Sequence, residues 1–168
     1  DLGYLVEVHR SNASLAGLPQ KRGRCFFTGH RDIGLVTPPA DLPPISLRSA
    51  LSDLGPPDDH NRHAILGNAK SYKGHRPSIW DGQANTVRAG AGHGPGGGSN
   101  TIRELARIQG FPDNYQFDPT WSHAMSEIGN ACPPPLARRW LEQLMAKVPA
   151  DQRPTAIGPA LQPNTRAE

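Results

Sequence analysis

The sequence predicts an α/β fold interrupted by a loop-rich lobe, and three features support this prediction. Two short runs near the N-terminus are rich in β-branched and aromatic residues, which is typical of strands. From residue 101 onward, apolar residues recur with the helical period. The intervening chain is polar and glycine-rich, and the 168 residues include 18 glycines and 18 prolines. Because the hydrophobic content is only 36%, we expect extensive loops and a thin core.

The first elements are predicted to be two strands and a short helix. Residues 2–9 and 24–30 form the strands, and a turn-prone Gly-Leu-Pro-Gln segment lies between them. Residues 46–54 carry leucines on one side and lie between two proline pairs, which predicts a short amphipathic helix.

The part after residue 100 is predicted to hold three helices. Thr101 and Glu104 have the spacing of a capping box, and Gly110 ends the first helix; Glu104 is also positioned to pair with Arg107. A second helix is expected at 120–128, broken by Gly129 and Asn130. A third is expected at 134–148, with four side chains directed inward: Leu136, Trp140, Leu141 and Leu144.

Charge and cysteine usage exclude several classes of protein. The two cysteines are too few for a disulfide framework and favour a cytoplasmic protein. No apolar run approaches the ~20 residues that would span a membrane, so we expect no membrane partner. The net charge is +3, and residues 60–93 hold one acidic residue and five basic residues. On charge alone, a binding surface for a polyanion and a solvated basic loop are equally good interpretations of this segment. These basic residues are Arg62, Lys70, Lys73, Arg76 and Arg88.

A metal centre is not expected in this basic segment. Its histidines have no cysteine near them and few carboxylates, so closed tetrahedral ligation is improbable and solvated loop histidines are the better interpretation. These are His60, His63, His75 and His93.

Gln20, Arg22 and Arg24 alternate at the predicted entrance of the second strand, so a period of two directs their side chains the same way. Amide and guanidinium donors on one face suit a phosphate, a carboxylate or a nucleobase carbonyl. Taken alone, such a pattern is more typical of an exposed polar strand face.

Three segments, in order along the chain, resemble motifs of the DNA cytosine-5 methyltransferases. Residues 19–24, Pro-Gln-Lys-Arg-Gly-Arg, match the family's Pro-Gln-x-Arg-x-Arg motif. Residues 103–112, Arg-Glu-Leu-Ala-Arg-Ile-Gln-Gly-Phe-Pro, resemble its bracing helix. Residues 128–134, Ile-Gly-Asn-Ala-Cys-Pro-Pro, resemble its final motif, with Cys132 in place of the usual valine. Three ordered matches are far less expected by chance than one.

The resemblance implies an enzyme that transfers a methyl group from S-adenosylmethionine to C5 of a cytosine flipped out of double-stranded DNA, through a covalent cysteine adduct. The implied fold is the C-terminal portion of a Rossmann-like, S-adenosylmethionine-dependent methyltransferase fold plus a small, loop-rich target-recognition lobe. A restriction-modification system is a family-level expectation. Residues 1–54 would be the last strands and first helix of the catalytic domain, and residues 55–100 the target-recognition lobe. Residues 101–148 would be the closing helices of the recognition lobe and cofactor site, and residues 149–168 a disordered tail.

The resemblance also implies roles for individual residues. Arg24 would donate to the cytosine O2, with Gln20 and Arg22 bracing that loop or touching the DNA backbone. The methionine end of the cofactor would be held by Gly129, Asn130 and Ala131. The structural brace would be Arg103, Glu104 and Arg107. DNA contacts would come from the recognition lobe through Arg62, Lys70, Lys73, Arg76, Thr86 and Arg88.

The family's nucleophilic cysteine has no counterpart in this chain. Cys25 falls within a predicted strand and Cys132 within the cofactor motif, so we reject both as nucleophiles. Asp1 is not a methionine, and we expect a truncated or processed N-terminus. The missing chemistry would come from the N-terminal catalytic part of the same enzyme, and we expect this chain to be inactive alone. The alternatives are a DNA-recognition subunit of a split methyltransferase, or an inactive relic.

Overall fold

The computed structural model describes residues 2–31, 34–54, 80–89 and 100–153. Two strands pair antiparallel in a two-stranded sheet, and four α-helices follow them. The strands are β1 (Leu5–Asn12) and β2 (Gly23–His30), and the helices are α1 (Leu47–Leu51), α2 (Ile102–Gln109), α3 (Trp121–Asn130) and α4 (Pro134–Lys147). All the elements predicted within these residues are therefore present.

β1 extends three residues beyond its predicted end because Asn12 organises the connection to β2. The Asn12 side chain accepts hydrogen bonds from the backbone N–H of Ser14 at 3.2 Å and of Arg22 at 3.0 Å. A short 3-10 turn, Ala13–Ala16, follows and ends at Gly17 with φ of 76°, a left-handed conformation that favours glycine. The register then pairs Val8 with Phe27.

Capping residues begin the short helices α1 and α2, and those of α2 were predicted. Ser46 accepts a hydrogen bond from the N–H of Ser49 at 3.1 Å and caps α1. At α2, Thr101 accepts from the N–H of Glu104, and the Glu104 carboxylate accepts from the N–H of Thr101 at 2.8 Å, so the capping box is confirmed. Gly110 ends α2 with φ of 87°.

Two clusters of buried apolar side chains make up the core. The larger joins α1, α2 and α3 with Ala84 and Val87. The smaller joins α4 to the hairpin, where Trp140 stacks on Phe26 with ring centroids 4.9 Å apart. Leu136 and Trp140 point inward as predicted, and Leu144 is partly buried. The prediction for Leu141 is wrong: it is 48% exposed, because one residue after Trp140 the helix has turned away from the hairpin.

The predicted helix break at Gly129 and Asn130 is also wrong. α3 continues through both residues and ends at Ala131, which is extended. Gly129 serves close packing rather than a turn: a Cβ atom at this position would lie 2.1 Å from the backbone nitrogen of Ala89 and 2.5 Å from the carbonyl carbon of Arg88. Position 129 does require a glycine, but the reason is the close approach of Arg88 and Ala89 rather than a turn.

Residues 80–89 lie against the strand entrance. Gln20 and Ala84 form an isolated parallel bridge, with hydrogen bonds from the N–H of Ala84 to Pro19 at 2.7 Å and from the N–H of Lys21 to Ala84 at 2.9 Å. Most of the predicted recognition lobe and of the predicted disordered tail lies outside the described residues, so these two predictions stay untested. Among the residues that the structure describes, no helix is long and apolar enough to cross a membrane.

Candidate functional site

Arg22 is a buried cation that binds backbone carbonyls from two distant segments. Its guanidinium donates to the carbonyl oxygens of Val87 at 2.5 Å, Gly129 at 2.7 Å and Ala131 at 3.0 Å. The side chain is only 2% exposed, and three carbonyl dipoles stabilise its charge. Burial, together with the like charge of Arg24, lowers the pKa of Arg22 to about 10, so it remains protonated at neutral pH.

Gln20 and Gln109 form a second buried connection beside Arg22. The Gln20 amide donates to the carbonyl of Ile108 at 3.0 Å and to the side-chain oxygen of Gln109. The Gln109 amide donates in turn to the carbonyls of Ile128 and Ala131, each at 2.9 Å. Both glutamines have no solvent exposure.

Gln109 was missed by the sequence reasoning. It lies four residues after Leu105 and three after Ala106, so it falls on the apolar face of α2. A polar side chain on an apolar face must find hydrogen-bond partners when it is buried. That position was the available signal, although the sequence could not identify the partners.

The alternating side chains of the first motif lie on one side of the chain, as predicted, but they differ in accessibility. Gln20 and Arg22 are buried and bound to protein groups, whereas the intervening Lys21 is exposed. Arg24 is half-buried and its guanidinium donates only to the adjacent carbonyl of Gly23, at 2.7 Å, in an exposed position. Of the two roles expected for Gln20 and Arg22, these contacts favour bracing over touching DNA, and Arg24 is the donor left open.

The predicted cofactor residues lie directly beside this buried connection. The carbonyls of Gly129 and Ala131 already accept from Arg22 and Gln109, so neither is free to face a ligand. Asn130 is exposed, and its side chain makes no hydrogen bond to the rest of the described chain. A carboxamide offers both a donor and an acceptor, which fits an α-amino acid group with its ammonium and carboxylate. The open polar group of residues 128–131, which form the end of α3 and the candidate cofactor loop, is therefore the Asn130 side chain.

Neither cysteine has the surroundings of an activated nucleophile. Cys132 follows the cofactor residues, and burial raises the pKa of its thiol above the ordinary value, although Arg24 and Arg22 oppose the shift. An activated thiol needs a lowered pKa. Cys25 is exposed within β2 and unpaired.

Only part of the predicted DNA-contacting set falls within the described residues. Thr86 is half-buried and donates to the carbonyl of Lys21 at 2.7 Å, and Arg88 is exposed. The other four predicted contacts lie outside the described residues: Arg62, Lys70, Lys73 and Arg76. The structure thus places Thr86 and Arg88 on either side of Val87, the residue whose carbonyl Arg22 binds.

The predicted ion pair between Glu104 and Arg107 is wrong. Glu104 is occupied by the capping box, and Arg107 instead forms ion pairs with Asp113 and Asp53, each at 2.5 Å. Because Arg107 also donates to Ala50, it joins α2 to α1. Arg103 is 1% exposed and donates to the carbonyls of Pro112 and Tyr115. These contacts hold the helix end beside the rings of Phe111, Tyr115 and Phe117.

We expect Arg107→Met to reduce the loss of stability that acid causes. Hydrogen bonds from Arg107 lower the pKa of Asp53 and of Asp113, so both carboxylates stabilise the fold above their unfolded pKa of about 4. This stability is lost as the pH falls through the lowered folded values. The melting temperature between pH 6 and pH 2.5 should therefore fall less steeply for Arg107→Met than for the unmodified chain.

Arg138→Met is the matched control for this measurement, because Arg138 is 81% exposed and pairs only with Glu142 one turn away. Its acid profile should follow that of the unmodified chain. Equal acid slopes for all three proteins would contradict the role assigned to Arg107.

No group of three metal-ligating side chains occurs within residues 2–31, 34–54, 80–89 and 100–153. The four histidines considered in the sequence lie outside these ranges, so that expectation stays untested.

Similarity to a solved structure indicates the fold. The chain aligns over 84% of its length with 60% of an Escherichia coli chain described as a DNA modification methyltransferase encoded within a prophage. The TM-score is 0.64 and the sequence identity is 22%. At this identity the likeness shows the fold alone, which is that of an α/β methyltransferase.

The sequence comparisons find similarity to one family of DNA methyltransferases. Residues 68–146 match the family model of the C-5 cytosine-specific DNA methylases. The type II methyltransferase M.MthTI of Methanothermobacter thermautotrophicus is 28% identical over 195 residues, covering 90% of this chain and 58% of that protein. DNA (cytosine-5)-methyltransferase 2 of Arabidopsis thaliana is 62% identical over 37 residues, covering 22% of this chain and 2% of that protein. The chain is thus similar to cytosine-5 DNA methyltransferases, as its motifs predicted, and it spans less than two thirds of the length of these two relatives.

Proposed function

We propose that this chain supplies the C-terminal part of a DNA cytosine-5 methyltransferase: a DNA-recognition lobe, the donor for the target base and one wall of the cofactor site. One observation carries the proposal. Arg22, of the first motif, binds the carbonyl of Gly129, of the last motif, although 107 residues separate them in the sequence. Gln109, at the end of the bracing helix, binds the same loop through Ile128 and Ala131. The three motifs thus meet at one place.

Arg24 is the residue proposed to act on the target base. When a thiolate adds to C6 of cytosine, negative charge spreads over the ring toward O2 and N3. A guanidinium held at O2 stabilises that charge more strongly in the transition state than in the ground state. The base must first leave the duplex, because C6 is shielded within the stack. Arg24 suits this role because its guanidinium is the open one of the motif.

The other residues are proposed to position and bind. Arg22 and Gln20 hold the loop that presents Arg24, and Asn130 offers its carboxamide to the amino acid end of S-adenosylmethionine. The cofactor supplies the methyl group when it is bound. Thr86 and Arg88, with the basic residues at 62, 70, 73 and 76, are proposed to contact double-stranded DNA. Arg103, Glu104 and Arg107 brace the helix that carries Gln109.

The nucleophile is proposed to come from outside this chain. Its two cysteines lie in β2 and beside the cofactor loop, and the thiol of Cys132 has a raised pKa. The missing part is either the N-terminal portion of the same enzyme or a separate catalytic subunit. An inactive relic is the remaining alternative, and it predicts no binding to DNA or to S-adenosylmethionine.

Transfer of a labelled methyl group to duplex DNA tests this proposal. The purified chain should transfer none by itself, and should support transfer to C5 of cytosine when a catalytic part bearing the family's nucleophilic cysteine is added. Methylation by the chain alone would refute the external nucleophile. Failure of every reconstitution, together with no binding to DNA, would favour the relic.

A further prediction concerns the outer face of the hairpin. Val6, Val8 and Phe27 share this face and are 61%, 59% and 71% exposed. An apolar sheet face open to water favours self-association, so the isolated chain should aggregate as its concentration rises. The double substitution Val8→Thr, Phe27→Thr should lower light scattering while leaving the melting temperature nearly unchanged.

Val36→Thr is the control for this prediction, because Val36 is only 1% exposed. It should lower the melting temperature without reducing scattering at temperatures where the chain is folded. A monodisperse monomer at high concentration, before any substitution, would contradict the prediction.

A further inference from the structure

Val87 is bound through both of its backbone polar groups to residues that also hold the candidate cofactor loop. Its N–H donates to the side-chain oxygen of Gln20 at 3.3 Å, and its carbonyl accepts from Arg22 at 2.5 Å. Gln20 donates to Gln109, which binds Ile128 and Ala131. Two parallel connections therefore run from the segment 84–89 to the loop, one through two amides and one through a guanidinium.

The amide connection has a fixed direction. The oxygen of Gln20 must face the N–H of Val87, which leaves its nitrogen to donate to Gln109. The oxygen of Gln109 then faces Gln20, and its nitrogen faces the two loop carbonyls. Turning either amide over would set like groups against each other in a fully buried place, at the cost of unsatisfied partners. The amide groups of Gln20 and Gln109 therefore each have a single orientation.

Direct packing also joins residues 84–89 to the candidate cofactor loop. Gly129 lies so near the backbone of Arg88 and Ala89 that no side-chain atom fits between them. Arg88 is a proposed DNA contact, and Asn130, next to Gly129, is the proposed cofactor contact. A displacement of the loop would therefore carry the DNA-side segment with it.

We propose that Gln109 is a positioning residue that sets the register between residues 129–131 and residues 84–89, and so couples cofactor contact to DNA contact. The coupling rests on the proposed function, whereas the register itself is a property of the fold. The hydrogen bonds of the Gln109 side chain go to Gln20, Ile128 and Ala131, and not to residues 84–89 or to Asn130, so it acts through Gln20 and the loop carbonyls.

Gln109→Glu tests the proposal in the full chain. The carboxylate keeps the shape of glutamine but replaces the amide donor with an acceptor that faces the carbonyls of Ile128 and Ala131. We expect hydrogen exchange at the Val87 amide to rise about tenfold, although Gln109 does not bind Val87. In a Cys25→Ser background, the reaction of Cys132 with a disulfide reagent should rise by a similar factor, because the loop beside it is released. The matched control is Gln116→Glu, since Gln116 is exposed and bonds only to the nearby Asn114 carbonyl.

Phe117→Leu separates positioning from general loss of stability. Phe117 is buried in the larger core cluster and lies outside the amide connection, so this variant should raise exchange broadly and not selectively at Val87. Unchanged exchange at Val87 and unchanged reactivity of Cys132 in Gln109→Glu would overturn the proposal, as would a rise no greater than that seen across β1 and β2. Gln109→Asn keeps an amide that can donate through a bridging water. Its selective rise in exchange at Val87 should therefore be smaller than that of Gln109→Glu, which would support the donor role. If the rise is selective but the unmodified chain neither supports methylation on reconstitution nor binds DNA, the proposed function fails and the register role of Gln109 stands.

Discussion

Gly129→Ala is expected to destabilise the fold by about 3 kcal/mol, at the upper end of the usual cost of overpacking. A methyl group at this position would lie 2.1 Å from the backbone nitrogen of Ala89, and backbone atoms cannot move aside as the end of a side chain can. The helix would have to separate from residues 84–89, which breaks the bonds from Arg22 to Val87 or to Gly129. Denaturant unfolding followed by circular dichroism measures this change.

Gly23→Ala provides the matched control. Gly23 lies at the start of β2, and a Cβ atom added there would meet nothing within 4 Å. The same chemical change should therefore alter the free energy of unfolding by less than about 1 kcal/mol. Similar unfolding midpoints for the two variants would show that the approach of Gly129 to Ala89 is not needed for stability.

Arg24→Ala is expected to lower the turnover of the reconstituted enzyme on the order of a hundredfold, the usual cost of removing one donor to a developing negative charge. The melting temperature should change little, because Arg24 bonds only to the neighbouring carbonyl in an exposed position. Single-turnover methylation of a duplex with one target cytosine isolates the chemical step. The affinity for S-adenosylmethionine should stay unchanged.

Two further substitutions make this result specific. Arg10 lies on β1, opposite Cys25 of β2, and its side chain is exposed. Arg10→Ala removes this positive charge and should leave turnover nearly unchanged. Arg22→Met should lower stability as well as activity, because it removes the guanidinium donor from the carbonyls of Val87 and Gly129 and one of the two side-chain donors from that of Ala131. If Arg24→Ala retained full turnover, Arg24 would not be the donor to the target base.

The local elements were predictable because their causes lie within a few residues of one another. The capping box needs only Thr101 and Glu104, and the end of α2 needs only a glycine that tolerates φ of 87°. The strands and the inward positions of Leu136 and Trp140 follow from side-chain type and period. The wrong predictions concern residues whose contacts lie far away in the sequence.

Arg107 and Gly129 show this limit. The spacing of Glu104 and Arg107 suits an ion pair, but Asp53 and Asp113 reach the guanidinium in the folded chain. A Gly-Asn sequence suits a helix break, but α3 includes both residues, and position 129 requires a glycine because the backbone near Ala89 fills the space that a side chain would need. Neither partner can be identified from local sequence.

The sequence by itself determined the type and order of the described helices and strands, the motifs and their resemblance to the cytosine-5 DNA methyltransferases, since each depends on residue types and short spacings. Only the tertiary structure decided which motif residues are open. It buried Gln20 and Arg22, left Arg24 and Asn130 accessible, and brought in Gln109. The physical reason is that a buried donor must be satisfied by whichever carbonyl the fold brings near it, and those carbonyls lie as many as 109 residues away.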